Sequence, residues 1–387
     1  MNPAGSVLLC SLSLFQPGPV AAQAFHRLDG QVLTAAEVDR LAARAMAAAR
    51  VPGLGLALIE GGRVVYLKAY GWRDLDRQLP LTPDSVMAAA SLSKAAFAYA
   101  VMQMVDERVL ELDCPIMDYL PRPLPAYPRY ADLAGDLRWE RITPRMLLAH
   151  TSGLPNWRHY MDGGRLAIYF EPGTRFAYSG EGMDLLQLVV ETVEGRPLEE
   201  VMARRVFRPL GMTRSSMVWE ARFETDAAQG HNNAGKGLGP QRRRRAGAAG
   251  SLQTTLADYA RFLEAVISGR GLSVEAREAM LSPQVRIRSA HEFPTLDPTT
   301  TTANEGIRLG YGLGWGLYQT PWGRAFFKEG HDDGVRHYVV CLDGPGKGLL
   351  IMTDGERGED LYSELLEDLL GNTLTPLEWE GFKARKR

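Results

Sequence analysis

The sequence predicts an α+β protein in which an antiparallel sheet, flanked by helices, carries an inserted and mostly helical domain. Short apolar runs typical of strands lie near both ends of the chain, at 53–70 and at 313–353. The segment from 91 to about 210 has the apolar spacing of helices. The simplest packing pairs the first and last strands in one sheet and covers that sheet with the terminal helices.

The opening of the chain is predicted to be a helix followed by two strands. Residues 34–50 carry apolar side chains on one helical face, and the runs 53–60 and 63–70 meet at Gly61-Gly62 as a hairpin. Further helices are predicted at 95–105, 184–194, 198–207 and 256–268.

The last part of the chain is predicted to return to sheet. The polar, threonine-rich segment 283–306 is expected to be an irregular loop near the surface. Strands are predicted at 313–318, 324–328, 337–343 and 348–353, and a closing helix at 362–370.

These elements indicate two domains and a leader. Residues 31–90 and 251–387 are assigned to a sheet domain, and 91–250 to the helical domain. We expect the active site in the cleft between them, because ligand sites often lie where two domains meet.

The composition is that of an ordinary globular protein, and its overall charge gives no reason to expect nucleic-acid binding. The 387 residues are 45% hydrophobic and 23% charged, which is enough apolar material for a large core, and the net charge is −2. The basic run Arg242-Arg243-Arg244-Arg245 follows a glycine-rich segment, and we predict a solvated loop there rather than a nucleic-acid site.

The first 30 residues are predicted to be a leader. Residues 7–15 form a short apolar core, and Ala22-Gln23-Ala24 resembles a cleavage site, but no Lys or Arg precedes that core. A signal peptide would place the protein in the periplasm or outside the cell. A disordered leader is the alternative, with a cytoplasmic location. No apolar run reaches the roughly 18 residues of a membrane span.

The sequence gives no reason to expect a metal or a cofactor. Three cysteines, Cys10, Cys114 and Cys341, are too few and too widely spaced for a disulfide framework or a metal site. Neither the zinc-protease pattern His-Glu-x-x-His nor the hydrolase pattern Gly-x-Ser-x-Gly occurs.

Ser91 and Lys94 are the first candidates for catalysis. Ser91 precedes a predicted helix, where free N–H groups favour an anion, and Lys94 lies three residues on, on the same face. A serine hydroxyl needs a nearby base, and a partly buried lysine can serve because desolvation lowers its pKa. Ser-x-x-Lys arises by chance about once in a chain of this length, so the pattern alone assigns no nucleophile.

A second polar stretch lies at 142–155. It contains His150, Thr151 and Ser152 at the end of a short predicted helix that Gly153 and Pro155 terminate. These side chains could be catalytic, but polar groups in such turns usually bond to nearby backbone, and we favour that interpretation.

Taken together, the patterns resemble those of serine hydrolases of the penicillin-recognising fold. This family includes class C β-lactamases, DD-peptidases and β-lactamase-like carboxylesterases, and the resemblance covers about 34–370. The motifs, in the family's order, are Ser91-Leu92-Ser93-Lys94, the run LLAHTSGLP at 147–155, Tyr178-Ser179-Gly180, Pro209-Leu210-Gly211-Met212 and Gly330-His331-Asp332-Asp333-Gly334.

The resemblance implies a role for each matching residue. Ser91 would attack an acyl carbonyl, Lys94 would take or relay its proton, and Tyr178 would be a second proton carrier whose pKa cationic neighbours depress. The oxyanion would be held by the backbone N–H groups of Ser91 and of a strand residue near Gly334. His331 would line the opposite wall and bond to substrate or to Tyr178.

Departures from the family's motifs bear on the substrate. Gly180 stands where β-lactamases carry an asparagine that holds the substrate amide. Asp332 and Asp333 fall where the family has Lys-Thr-Gly or His-x-Gly, and a carboxylate there would repel a substrate carboxylate. An alternative alignment puts Lys328-Glu329-Gly330 in that place; we favour the alignment on His331.

These departures favour a carboxylesterase acting on short acyl esters. The alternatives on the same machinery are a β-lactamase, a DD-carboxypeptidase or a D-amino-acid peptidase, and a non-catalytic binding or scaffold relative is a third hypothesis. The expected partner is a small ester or amide substrate, with neither nucleic acid nor a membrane span involved.

Overall fold

The structure is a computed structural model that describes residues 24–383. Most of the predicted leader, 1–23, therefore lies outside the described residues. Phe25 is already buried in a short hairpin, so the leader predicted over 1–30 overlaps folded residues.

The strands agree closely with the predicted order. Their bounds are β1 Phe25–His26, β2 Val32–Leu33, β3 Gly53–Glu60, β4 Arg63–Asp74, β5 Leu79–Pro80, β6 Met87–Ala88, β7 Gln253–Thr254, β8 Val285–Arg286, β9 Gly310–Tyr311, β10 Gly316–Thr320, β11 Gly323–Asp332, β12 Val335–Leu342 and β13 Lys347–Thr353.

The helices occupy both ends and the middle of the chain. Their bounds are α1 Ala35–Ala49, α2 Leu92–Asp106, α3 Pro144–Leu148, α4 Gly180–Glu194, α5 Leu198–Met202, α6 Leu256–Ser268, α7 Val274–Met280 and α8 Tyr362–Leu369. A π-helical turn, Ala203–Phe207, continues α5. Short 3-10 helices lie at Ile116–Tyr119, Leu124–Ala126, Pro128–Leu133, Leu137–Arg141, Arg158–Tyr160, Asp162–Gly164, Ala221–Phe223 and Glu356–Leu361.

Nine strands form one antiparallel sheet in the order β5-β4-β3-β13-β12-β11-β10-β9-β8. The pairing of β3 with β13 joins the first and last long strands, which confirms the predicted α+β packing. Two-stranded pairs, β1–β2 and β6–β7, complete the strands of the described region.

Local signals explain the elements that were predicted well. Thr34 and Glu37 form a capping box that starts α1. Gly61 and Gly62 both have positive φ, 57° and 74°, which the tight turn between β3 and β4 requires. Helix α6 keeps its predicted bounds.

Two hydrophobic cores lie on the two faces of the sheet. One contains α1 and α8 with side chains such as Leu58, Ile351 and Leu365. The other contains α2 and α6 with side chains such as Ala57, Phe97 and Leu263. Burying both faces of β3 and β13 accounts for their continuous apolar runs.

Several boundaries differ from the prediction. Helix α2 begins at Leu92 rather than 95, α4 begins at Gly180 rather than 184, and α7 was not predicted. The segment 283–306 is largely irregular, as expected, but it is not only a surface loop because Glu292 within it is buried. Between residues 24 and 383, every helix is too short or too polar to span a bilayer.

Candidate active site

Ser91 lies at the start of α2, in a turn with an unusual backbone. Ala90 has φ of 49°, a left-handed conformation that is uncommon outside glycine. Ser91 is the N-cap residue, but its side chain makes no capping hydrogen bond. Its hydroxyl is therefore left for other partners, and the residue is partly exposed whereas the helix behind it is buried.

The side chains of His337, on a distant strand, and of Ser93, within α2, fix this turn. The Nε2 of His337 on β12 hydrogen-bonds the carbonyl oxygen of Ala88 at 2.8 Å. The hydroxyl of Ser93 donates to the carbonyl of Ala90 at 2.6 Å and accepts from the N–H of Leu252 at 3.0 Å. Sequence reasoning did not identify His337, since no motif marks it.

The amine of Lys94 is fully buried and contacts the Ser91 hydroxyl. Its Nζ donates to Ser91 Oγ at 2.9 Å and to the carbonyl of Ala249 at 2.6 Å. Burial, and secondly the positive charge of Lys328, lower the pKa of Lys94 to about 7. A large fraction of these amines is therefore uncharged near neutral pH and able to accept a proton.

Tyr178 lies between two amines. Lys94 Nζ is 4.9 Å and Lys328 Nζ is 4.6 Å from the centre of its ring, and Lys328 Nζ donates to its hydroxyl at 2.9 Å. The expectation of a depressed pKa is wrong, however. Burial, followed by the negative charge of Glu329, raises the pKa of Tyr178 well above 10, although an interaction with Ser91 acts in the opposite direction. The resting phenol is neutral.

The polar turn at His150 positions Tyr178. The carbonyl of His150 accepts from the N–H of Ala177 at 2.8 Å, and its Nδ1 accepts from the N–H of Ser179 at 3.2 Å. Burial lowers the pKa of His150 well below its usual value, so the ring is neutral. The prediction that side chains of this turn bond backbone close in the chain holds for Thr151, whose hydroxyl donates to the carbonyl of Met146 at 3.4 Å, whereas His150 bonds the distant Ser179.

The third side of the site is the middle of β11. A Cβ on Gly330 would lie 2.7 Å from the carbonyl oxygen of Ala89, so this part of the strand approaches the Ser91 turn closely. Strand β10 pairs with β11 only as far as Phe327, which leaves the following edge of β11 without a strand partner in the described region. The segment of β11 that faces Ser91 is therefore Lys328-Glu329-Gly330, the alternative match to the Lys-Thr-Gly motif.

The residues predicted from the other alignment lie elsewhere. The ring of His331 packs against Phe382, with centroids 5.1 Å apart, and its Nε2 is 3.4 Å from the hydroxyl of Tyr362. The hydroxyl of Tyr178 thus accepts a hydrogen bond from Lys328 in place of the one expected from His331. His331 lies three positions after Lys328. Because side chains alternate between the two faces of a strand, an odd offset places His331 on the opposite face from Lys328.

The end of this hairpin contacts a neighbouring loop. Asp332 pairs with Arg243 at 2.6 Å, and the carbonyl of Asp333 accepts from the side chain of Gln241 at 2.8 Å. Gly334 packs on Gly230, to which an added Cβ would come within 2.8 Å. The part of the strand that approaches the Ser91 turn is therefore at Gly330, and not at Gly334, where the resemblance places the strand donor of an oxyanion hole.

Gly180 lies beneath an aromatic ring. A Cβ at this position would lie 2.7 Å from the ring of Trp157, and its N–H donates to Asn156 Oδ1 at 3.1 Å. The centre of the Trp157 ring is 5.9 Å from Lys94 Nζ. An aromatic wall thus occupies the space that a longer side chain at 180 would need.

Two of the four arginines in the basic run have acidic partners. Arg242 pairs with Glu224 at 2.7 Å, and Arg243 pairs with Asp332. Both pairs are partly exposed, which agrees with the prediction of a solvated loop.

Among the described residues, the group with spacing suited to a cation is Glu292, Glu329 and Glu380.

Comparisons with known proteins agree with this geometry. A family model described as beta-lactamase matches residues 38–370. Penicillin-binding protein 4 of Amycolatopsis lactamdurans is 26% identical over 342 residues, which cover 83% of this chain and 85% of that protein. A D-aminopeptidase of Gluconobacter oxydans (strain 621H) is 25% identical over 194 residues, covering 48% of this chain and 37% of that protein.

The fold is also found among solved structures. The octameric penicillin-binding protein homologue from Pyrococcus abyssi superposes with a TM-score of 0.70 at 23% identity, covering 86% of this chain and 77% of that chain. This similarity establishes a shared fold.

Proposed function

Because this chain belongs to the beta-lactamase family, a family of serine hydrolases, we propose that it is a carboxylesterase that forms an acyl-enzyme on Ser91. The observation that carries the proposal is the contact of 2.9 Å between Ser91 Oγ and the buried amine of Lys94. An amine with a pKa of about 7 is suited to general-base catalysis near neutral pH.

In the proposed reaction, neutral Lys94 takes the proton of Ser91 while Oγ bonds to the ester carbonyl carbon. The backbone N–H of Ser91 and an N–H of the β11 edge near Gly330 hold the oxyanion. The carbon–oxygen bond to the alcohol then breaks, and Lys94 returns its proton to the departing oxygen, directly or through the Tyr178 hydroxyl. Neutral Lys94 next deprotonates a water molecule that bonds to the acyl carbonyl carbon. The bond from that carbon to Ser91 Oγ breaks, Lys94 returns the proton to Oγ, and the carboxylic acid leaves.

The surroundings of Lys328 and Gly180 support ester substrates. The charge of Lys328 is paired with Glu329 at 2.5 Å, which weakens its attraction for the carboxylate of a β-lactam or peptide. Gly180 offers no side-chain amide to hold a substrate amide, and Trp157 fills the adjacent space.

Peptidase activity is the second candidate. The hydrogen bond from Lys328 to Tyr178 places a lysine beside the second proton carrier, as the alternative Lys-Thr-Gly alignment anticipates. Relatives named as a penicillin-binding protein and a D-aminopeptidase are consistent with substrates that contain D-amino acids.

A substrate panel tests the proposal. We expect wild type to hydrolyse p-nitrophenyl acetate and butyrate faster than nitrocefin or D-Ala-D-Ala peptides, and Ser91→Ala to lose roughly a thousandfold or more. A fluorophosphonate probe should label wild type and the control Ser268→Ala, an exposed serine at the end of α6, but not Ser91→Ala. Equal ester turnover in Ser91→Ala would remove the proposal, and absence of labelling would favour a non-catalytic relative.

A further inference from the structure

Three buried carboxyl groups meet beside Lys328, and the proposed reaction uses none of them. Glu292 comes from the segment 283–306, Glu329 from β11, and Glu380 from the segment that follows α8. One carboxyl oxygen of each lies within 4.8 Å of the others. The three residues are 2%, 6% and 6% exposed, so water does not satisfy them as it would at the surface.

The cluster has more acidic groups than cations. Lys328 Nζ pairs with Glu329 Oε1 at 2.5 Å, and the hydroxyl of Tyr338 donates to Glu380. The Oε2 of Glu292 and the Oε1 of Glu380 are buried without a hydrogen-bond partner. Burial, with the charge of a neighbouring glutamate, raises the pKa of both carboxyls well above its usual value. Burial thus favours the protonated form of both carboxyls, and a cation that binds beside them would displace those protons.

The hydroxyl of Tyr311 is an independent indication of a missing ligand. Tyr311 is 2% exposed, and its hydroxyl has no hydrogen-bond partner. Burial, and then the charges of Glu329, Glu292 and Glu380, raise the pKa of Tyr311 well above its usual value, so the hydroxyl keeps its proton within range of the cluster's charges. Buried polar groups are almost always hydrogen-bonded, and an orphan beside unpaired carboxyl oxygens indicates that a donor can bind there.

The cluster borders the reacting groups. Lys328, which pairs with Glu329, also donates to the hydroxyl of Tyr178 at 2.9 Å. Phe293, the residue after Glu292, packs edge-on against the ring of Tyr178 with centroids 5.6 Å apart. A substrate acylating Ser91 therefore has the cluster next to it.

The spacing suits an ammonium group. Three acceptors at about 2.8 Å from a tetrahedral nitrogen lie roughly 4.6 Å apart, which agrees with the limit set by the carboxyl oxygens. An anion would find only one cation here, already paired. We propose that Glu292, Glu329 and Glu380 form a subsite for a protonated amine of the substrate, which makes amine-bearing esters and amides the preferred class. This inference rests on the proposed acyl-enzyme at Ser91.

Two pairs of isosteric esters test the subsite and locate the amine. Alanine methyl ester against methyl isobutyrate places the amine in the acyl group, and 3-aminopropyl butyrate against butyl butyrate places it in the alcohol. Near neutral pH we expect the charged member of at least one pair to have a kcat/KM about tenfold higher or more. Equal values in both pairs would overturn the inference.

Substitutions connect the preference to the cluster. Glu292→Gln and Glu380→Gln should each reduce the charged-to-neutral ratio by about tenfold. Glu378→Gln, an exposed site in the same segment, should leave the ratio as in wild type. Thermal melting verifies that each variant is folded. A ratio that the cluster variants do not change would place amine recognition elsewhere.

Probe labelling and metal binding distinguish an error in the subsite from an error in the proposed function. If p-nitrophenyl butyrate is hydrolysed and the fluorophosphonate labels Ser91 but no amine preference exists, the subsite is wrong and the proposed function stands. If labelling is absent, both are wrong. Calorimetric binding of Ca²⁺ or Mn²⁺ by wild type but not by Glu292→Gln would assign the cluster to a metal and also overturn the inference.

Discussion

The low pKa of Lys94 arises from burial and from the second amine, Lys328, nearby. These two causes act through the same physics, since each disfavours the charged form. Glu329 and Asp184 act in the opposite direction and keep the shift moderate. Ser91 is consequently paired with an amine that changes charge in the range where an enzyme normally works.

Lys94 should therefore control the pH dependence of ester hydrolysis. Because the uncharged amine is the base, kcat/KM should rise with pH and level off above an apparent pKa of about 7. Lys94→Arg, whose side chain stays protonated, should lose about 100-fold or more and lose this step. A profile measured with p-nitrophenyl butyrate verifies both points, and an unchanged step in the variant would exclude Lys94 as the base.

At the scale of elements, the approach of β11 to the Ser91 turn shapes the site. Gly330 allows the strand to come close to Ala89, and His337 on the next strand bonds Ala88. Both contacts join the sheet to the start of α2. The proposed oxyanion hole needs its two backbone donors in fixed positions, and these contacts hold both segments that would supply them.

A side chain at Gly330 should disturb this approach. In Gly330→Ala the new Cβ would lie 2.7 Å from the Ala89 carbonyl, so the strand or the turn must shift. We expect kcat/KM for p-nitrophenyl butyrate to fall between about tenfold and 100-fold. Gly306→Ala, where nothing lies within 4 Å of the added atom, is the matched control. A lower kcat/KM in Gly306→Ala, or an unchanged kcat/KM in Gly330→Ala, would contradict this explanation.

Sequence patterns predicted the elements well where the signal is local. The capping box of α1 and the Gly61-Gly62 turn are encoded within a few residues. The start of α2 was missed because the alanine-rich sequence around Ser91 has no periodic contrast. The third motif was placed three residues too late, because a strand shows which residue faces the site only when its register is known.

At the scale of the whole molecule, distant segments form the carboxyl cluster beside Lys328. Glu292, Glu329 and Glu380 lie in three separate parts of the chain, and no spacing rule relates them. The contributions of the segment after α8 could therefore not be predicted from sequence. The fold class, by contrast, followed from the order of strands and helices, since β3 and β13 had to share one sheet.

Asp354 joins the end of β13 to other parts of the molecule. The backbone carbonyl of Asp354 is hydrogen-bonded to the Nδ1 of His231 at 2.8 Å. The backbone N–H of Asp354 donates to the carbonyl of Gly53 at 3.4 Å. Both of its carboxyl oxygens are buried without a hydrogen-bond partner, and Oδ2 lies 3.6 Å from the Nδ1 of His231. Burial raises the pKa of Asp354 to about 8, so the folded protein keeps this carboxyl protonated near neutral pH.

This buried acid should make stability depend on pH. Between the usual pKa of 3.8 and the folded value of about 8, the folded state holds a proton that the unfolded state releases. The free energy of unfolding should then fall with rising pH, by about 1.4 kcal/mol per unit from this group. Asp354→Asn should lack that fall, so its stability relative to wild type should increase from pH 5 to pH 8.

Urea unfolding at both pH values measures the difference. Asp76→Asn, at an exposed position, is the control and should follow wild type. An Asp354→Asn effect that is the same at pH 5 and pH 8 would show that the carboxyl is not held neutral by the fold.

The most direct test of the central claim is to locate the acyl group on the enzyme. Wild type mixed with p-nitrophenyl butyrate, quenched in acid during the burst and digested, can be mapped by tandem mass spectrometry. We expect a butyryl group on Ser91, and none on that peptide in Lys94→Arg quenched at the same time. A butyryl group on any other residue, or full acylation of Ser91 without Lys94, would contradict the claim.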